Sequence, residues 1–329
     1  MRGKFYESEY EEALIDLLQD EGWQYTNGGN IHRQLREPLL IEDPNVNDLQ
    51  VYLQHRYPDL TSSDVNEVVN HLRHVPGQTH FERLRNTFQL VRDGYRYTRH
   101  GDGVNFDIRF IDFESPDCKK YNIFRAVNQF EVAYGMKDDV RIPDVLLFVN
   151  GIPLCIFELK NPTKLDADIA QAYKQIHIRC MRDIPHLLRY CPLSCISDAT
   201  DNNTRLGTTY TSYEHYYAWK KVNNEDPSAQ KGIDQVRTIV KGVYEPSRFL
   251  EILRDYVYFP DEKSGREEEI VCRYPQFFAT RMMSDSIRRA FKEQTSKGGT
   301  YFGATGCGKT YTMMFIARQL ALRCKELGS

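Results

Sequence analysis

Three charged residues stand where two oily segments end. In IPDVLLFVNGIPLCIFELK, residues 142–160, Asp144 precedes the run from Val145 to Val149, while Glu158 and Lys160 close the run that starts at Leu154. Runs of this kind, joined here by Asn150-Gly151, read as two hairpin strands buried on both faces. A charge beside a packed sheet is costly unless it is paired or holds a metal. Glu158 and Lys160 are two apart on one strand, so they project from the same face and can address one phosphate from one side. The alternative is an ion pair at a strand end.

A second constellation lies further along the chain. GATGCGKT (Gly303, Ala304, Thr305, Gly306, Cys307, Gly308, Lys309 and Thr310) fits G-x-x-x-x-G-K-[ST]. A short strand is expected at Thr300 to Phe302 before it, and a helix over YTMMFIARQLAL after it. Backbone N–H groups of such a loop close around phosphate oxygens at a helix N-terminus, with Lys309 reaching the β- and γ-phosphates and Thr310 ligating Mg²⁺. A glycine-rich turn alone explains neither Lys309 nor Thr310. Upstream, Gln276 in RYPQFFA stands where helicase-type motors carry an adenine-reading glutamine. The alternative there is an exposed polar residue.

The carboxylates can share a ligand only if the strand register allows it. An unbulged two-residue turn at Asn150-Gly151 pairs Val149 with Ile152 and sets Asp144 opposite Phe157, on the wrong face for Glu158. A shift by one residue pairs Asp144 with Glu158. Pro153, which cannot donate to a ladder, disfavours a clean hairpin, so a three-residue connection or a bulge between 144 and 158 is expected, with the two carboxylates converging.

The elements that position these residues follow from pattern and composition. The chain has 329 residues, 41% hydrophobic and 12% aromatic, which is enough for a large core and two domains. No apolar run approaches the roughly 18 residues of a membrane span, and the N-terminus lacks a signal-peptide core, so a cytoplasmic protein with no membrane association is expected. Eight cysteines without C-x-x-C pairs read as free thiols. A net charge of −3 excludes a globally basic nucleic-acid binder but permits a local basic cleft. Helical patterns cover 7–20 and 64–75, a turn falls at Asn27-Gly28-Gly29, and strand patterns cover 104–113, 123–132 and 194–199. A helix is expected from Asn161-Pro162 to about Cys180, and a polar boundary at 220–234. The expected organisation is a domain over 1–235 and a second unit over 236–329.

The spacing Pro-Asp, then Glu-x-Lys, matches the PD-(D/E)xK nuclease pattern, in which Asp144 and Glu158 would hold Mg²⁺ and Lys160 would stabilise the attacking water or the phosphorane. From SEYEEALIDLLQDEGW through VNQFEV, PDVLLFVNGIPLCIFELKNP, AYKQI, ISDA, RLGTTYTSYEHYYAWK and RYPQFF to GATGCGKT, the chain resembles the R (restriction and motor) subunit of type I restriction endonucleases. The resemblance implies an α/β fold: a PD-(D/E)xK nuclease-like mixed sheet flanked by helices, then the beginning of a RecA-like P-loop motor domain. It implies Mg²⁺-dependent cleavage of double-stranded DNA coupled to ATP-driven translocation, alongside methylation and specificity subunits. Walker B and later helicase motifs are absent from these residues. The family motif Q-x-x-x-Y carries over as Gln175, with Arg179 standing where tyrosine is expected.

Related nucleases also draw an acid from the first helix, and Glu11 lies on that helix's apolar stripe; a helix-start acid favoured by the dipole is the alternative. Arginines 83, 85, 92, 96 and 99, interleaved with Phe88, Tyr95 and Tyr97, are either a DNA-facing surface or a solvated strip. Two other functions stay open at this stage. One is an ATP-dependent DNA translocase or remodeller whose nuclease-like domain only binds DNA or partner subunits; the other is a signalling NTPase.

Overall fold

Seven apolar or alternating segments pair into one sheet whose strand order follows the chain: β1 (Gln24–Asn27), β2 (Phe124–Asn128), β3 (Val145–Val149), β4 (Ile152–Leu159), β5 (Leu193–Ser197), β6 (Thr204–Thr208) and β7 (Tyr217–Ala218). The computed structural model describes residues 7–137, 139–160, 169–229, 231–260, 267–295 and 297–327. Strands β1 and β2 run parallel, as do β4 and β5, and the other neighbours are antiparallel. A parallel pair needs a crossover, here α5 (Ile169–Lys174) followed by a π-wound segment, Gln175–Cys180, and short helical turns to Leu188. Its expected start at Asn161-Pro162 lies outside the described residues. The result is the expected mixed sheet flanked by helices.

The hairpin register is set by one extra residue. Val149 pairs with Ile152 across an Asn150-Gly151 turn, and Phe148 with Pro153, but Leu147 pairs with Cys155, so Leu154 is a bulge. The cores on the two sheet faces record it. Leu154 and Cys155, successive in sequence, both join the core shared with Val145, Leu147 and Val149, whereas Leu146, Phe148 and Ile156 join the opposite one. Beyond the bulge Val145 pairs with Phe157, which carries Asp144 opposite Glu158. The bulged register is therefore the one the shared-site reading required.

The first face is covered by α1 (Glu7–Asp20), α2 (Asp48–Arg56), α3 (Ser62–Arg73) and α4 (His80–Asp93), the second by α5 and the segment after it. Apolar packing does not break at residue 235. After α6 (Gly232–Ile239), Val243, Tyr244 and the α7 (Pro246–Asp255) residues Phe249 and Leu253 join the core of α1 and the sheet; so do Phe277 of α8 (Tyr274–Lys292) and Phe315 of α9 (Lys309–Leu327). Trp23 Nε1 donates to Tyr244 O at 2.6 Å, and Phe157 packs on Tyr244 with ring centroids 4.8 Å apart.

One sequence expectation is corrected, and one pair of alternatives gains observations. Thr300 to Phe302 is not a strand: no strand among the described residues pairs with it, and Phe302 is 94% exposed. The arginines of 83–99 are largely engaged within the protein, with Arg92 on Asp93, Arg96 on Asp107, Arg99 on Asp64 and Asp102, and Arg83 donating to Gly77 O. Phe88 and Tyr97 are core residues, which favours the solvated-strip alternative.

The hairpin tip is pinned. Asn150 and Gly151 have φ of 52° and 75°, the left-handed pair of a type I′ turn. Asn150 is buried, accepts from Ile123 N at 2.8 Å and donates to Phe110 O and Asn122 Oδ1. A Cβ on Gly151 would lie 2.8 Å from both Leu40 O and Leu49 N, which are backbone atoms. Gly151→Ala is therefore expected to destabilise the fold by about 1–3 kcal/mol, read as a lower urea midpoint with unchanged m-value.

Candidate active site

At one edge of the sheet the ends of β1, β2, β4 and β5 meet the start of β3. Asp144, just before β3, is half-buried, and its Oδ2 accepts from Leu159 N at 2.5 Å, replacing the ladder acceptor that the end of β3 no longer supplies. Glu158 is 2% exposed, and Lys160 Nζ donates to its Oε1 and, at 2.9 Å, to Leu159 O. Main-chain pairing holds Lys160 in place, its N–H donating to Ser197 O at 2.8 Å. By strand alternation all three point to the second face, towards the crossover helix. Cys180 on that helix reports the same placement: burial, then the Glu158 carboxylate and more weakly that of Asp144, push its thiol up to about 12.

The other expected members are distributed unevenly. Gln175 begins the π-wound segment and accepts from Arg179 at 2.9 Å, so the residue standing for the family tyrosine is its hydrogen-bond partner. Glu11 reaches the same sheet edge from the first face: its Oε1 accepts from Asn128 Nδ2 at 2.6 Å, and Tyr25 donates to Asn128 Oδ1 at 3.0 Å. Beside it Tyr10 hydrogen-bonds Ser197 Oγ at 2.6 Å. Among the described residues no group of three or more His, Cys, Asp or Glu side chains converges as a metal site. Asp144 and Glu158 are the carboxylates that the register brings to one face, and a pair of carboxylates fits the donor chemistry of Mg²⁺, which commonly takes one or two with water and phosphate oxygens.

Residues invisible to the motif reading complete the surroundings. Arg141 donates to Asp183 Oδ2 at 2.7 Å, and Arg182 with Arg141 holds that carboxyl down to about 2. His177, two residues after Gln175, has its Nε2 2.8 Å from Tyr216 Oη and stacks on Tyr173 at 4.0 Å. Tyr216 donates to Thr208 O, so His177 is the donor to Tyr216.

The phosphate loop has its own geometry. Gly306 and Gly308 both have φ of 81°, and α9 begins at Lys309. Lys309 Nζ donates to Gly303 O at 2.7 Å and Ala304 O at 3.0 Å. Thr310 is exposed and Cys307 half-buried. Gln276 is not the exposed residue of the bland reading. It is buried, its Oε1 accepts from Arg273 N at 2.8 Å, and its Nε2 donates to Gly308 O at 3.2 Å.

Comparison with known proteins identifies the family. Residues 4–215 match the family model described as Type I restriction enzyme R protein N terminus. The chain is 30% identical, over 95% of its length, to the type I restriction enzyme HindI endonuclease subunit of Haemophilus influenzae. It is 25% identical, over 96% of its length, to a Methanocaldococcus jannaschii protein provisionally named the MjaIXP endonuclease subunit of a type I restriction enzyme. It spans 30% and 31% of the lengths of these two relatives.

Neutral His177 has a consequence for stability. Burial pushes its pKa from 6.5 down to about 4. Between these values the unfolded chain takes up a proton that the folded chain refuses, so stability is lost as pH falls through that window. The contribution is about 1.4 kcal/mol per pH unit. Urea midpoints measured from pH 7 to pH 4 should fall less steeply for His177→Gln than for the parent; identical slopes would show that this imidazole does not carry the effect.

Proposed function

The chain belongs to the family of type I restriction enzyme R proteins, and we propose that it carries the Mg²⁺-dependent nuclease site that cleaves double-stranded DNA in such an enzyme, together with the start of the motor that drives translocation with ATP. The observation that carries the reading is the Leu154 bulge, which turns Asp144 to the face of Glu158 and Lys160. A structural hairpin has no need of that register.

Asp144 and Glu158 would hold Mg²⁺, which when bound supplies a Lewis acid to the scissile phosphate. The chain's own residues do the rest. Asp144 is oriented by Leu159 N–H, so its second oxygen faces away from the ladder. Lys160, ion-paired with Glu158, keeps a cation where negative charge grows on the phosphate as water adds and the bond to the leaving sugar oxygen breaks. The apolar crossover helix excludes bulk water from one side and strengthens each of these interactions. Gln175 and Glu11 flank the site, as positioning residues, from its two sides.

The phosphate loop would bind ATP with Mg²⁺. Lys309 would leave the Gly303 and Ala304 carbonyls for the β- and γ-phosphates, Thr310 would ligate the metal, and Gln276 would read the adenine while bracing Gly308. Residues 1–235 would supply the nuclease site and 236–329 the linker and motor start, although the two share one core. The partners are duplex DNA and the methylation and specificity subunits. A translocase whose nuclease-like domain only binds is the competing reading, supported by the Lys160 and Glu158 ion pair.

The two sites separate by mutation. In the intact complex, Asp144→Ala, Glu158→Ala or Lys160→Ala should each lower plasmid cleavage by at least about a hundredfold while ATP-driven translocation continues. Normal cleavage by all three would remove the assignment of cleavage to this site. Lys309→Ala should do the reverse, abolishing translocation and the cleavage that depends on it; full restriction by that variant would remove the motor assignment.

A further inference from the structure

A second basic surface lies at the other end of the edge strand. A cleft of about 290 Å³ opens between the end of α1, α2 and the loop before β2, lined by Gly22, Gln24, His55, Lys119, Lys120 and Tyr121 among others. Three cationic or protonatable groups surround the Tyr121 ring: Lys120 Nζ at 4.8 Å, Arg56 Cζ at 5.0 Å and the His55 ring at 5.2 Å. Lys119 Nζ lies over Gly22, where a Cβ would come within 2.0 Å of it, and faces Glu21 O at 3.5 Å.

These cations differ from the arginines described above. Arg73, Arg92, Arg96, Arg99, Arg125, Arg141 and Arg182 are each ion-paired with a carboxylate. Among the described residues no carboxylate makes an ion pair with Arg56, Lys119 or Lys120. The neighbouring acid, Asp117, is turned to Lys119 N at 2.9 Å. Cations gathered without counter-charges, on a chain whose net charge is −3, form a local positive focus that the protein itself does not neutralise.

Its position says what would neutralise it. Strand β1 is the edge of the sheet; Gln24 borders the cleft and Asn27 pairs with Asn128, which bonds Glu11 at the catalytic edge. Four residues of strand span roughly 10–13 Å, or about three to four base-pair steps of duplex at 3.4 Å each. A duplex lying along β1 would meet both ends of that strand at once. We infer that Arg56, Lys119 and Lys120 around Tyr121 form a phosphate-backbone site for duplex DNA, separate from the catalytic edge and aligning the duplex with it. The inference rests on the nuclease reading for the identity of the polyanion. An acidic protein surface would satisfy the same cations, but nothing ties it to the strand that leads to Asp144 and Glu158.

The test uses the full-length subunit and a fluorescent duplex, with Ca²⁺ in place of Mg²⁺, at several salt concentrations. Lys119→Glu/Lys120→Glu should weaken binding by at least about tenfold and flatten the plot of log affinity against log salt by about two units. Lys231→Glu/Lys292→Glu, which reverses two exposed charges elsewhere, should change affinity by less than about threefold. Circular dichroism and a normal urea midpoint for the first variant exclude misfolding. Equal affinity and salt slope for parent and Lys119→Glu/Lys120→Glu would overturn the inference, as would intact DNA binding with lost assembly onto the other subunits, which would mark a protein interface. These outcomes leave the nuclease reading standing; that reading fails separately, if the parent complex does not cut DNA or if Asp144→Ala cuts normally.

Discussion

Everything at the catalytic edge depends on the parity of one strand pair. Side chains alternate along a strand, so a hairpin with an unbulged two-residue turn would hold Asp144 and Glu158 on opposite sides of a packed sheet, separated by the sheet itself. Leu154 changes that by a single residue. The bulge could slip only if the turn could move, and the turn is held: Asn150 is buried with three hydrogen bonds, and Gly151 touches the backbone of Leu40 and Leu49. Pro153 beside the bulge gives up no donor that a regular ladder would have used. The anchored tip and the bulge together force the register at the far end of the strands.

That register places charge where charge is expensive. Glu158 is as buried as the leucines around it, and an isolated carboxylate there would be neutralised or would unfold the edge. Lys160 and the Leu159 N–H offset the cost, one by ion pairing with Glu158 and the other by a hydrogen bond to Asp144. The same low-polarity surroundings that make the carboxylates costly make each remaining interaction strong. Stability and the proposed chemistry therefore draw on one arrangement: the apolar crossover helix that penalises the charges would also strengthen their action on a phosphate.

Much of this was legible from residue types. The Asp-Glu-Lys spacing, the Asn-Gly turn and Pro153 were enough to require a bulge or an odd-length connection, because parity is arithmetic. The G-x-x-x-x-G-K-T spacing marked a candidate phosphate loop, and Gly306 and Gly308 take the positive φ that such a turn uses. What could not be read was whatever depends on partners distant in sequence. Arginines 96 and 99 are open to either reading until Asp107 and Asp64 are placed against them. Gln276 reads as an ambiguous polar residue until Arg273 and Gly308 meet it. Thr300 to Phe302 has the composition of a strand, but a strand exists only when another is beside it. His177, inside a helix pattern, gave no sign of its bond to Tyr216, 39 residues away.

The continuity of the core past residue 235 limits how the two sites can behave. Phe315 of α9 packs on Tyr256 at 5.3 Å, Tyr256 on Phe277 at 5.1 Å, and Arg318 donates to Val257 O at 3.0 Å; Tyr244, earlier on the same side, packs on Phe157, next to Glu158. Protein interiors are packed densely enough that such layers shift as units or not at all. A displacement of α9 at its N-terminus, where Lys309 now bonds the loop's own carbonyls, must therefore either carry α7 and the layer under β4 with it or break aromatic contacts that are individually worth about 1 kcal/mol. The first course strains the hairpin whose register defines the catalytic edge. The second is the less costly, because Phe315 and Arg318 make only a few such contacts, whereas Trp23, Tyr244, Phe249 and Phe157 interlock around the sheet. A shift of α9 would therefore separate first at its contacts with Tyr256 and Val257, outside the layer that holds Asp144 and Glu158.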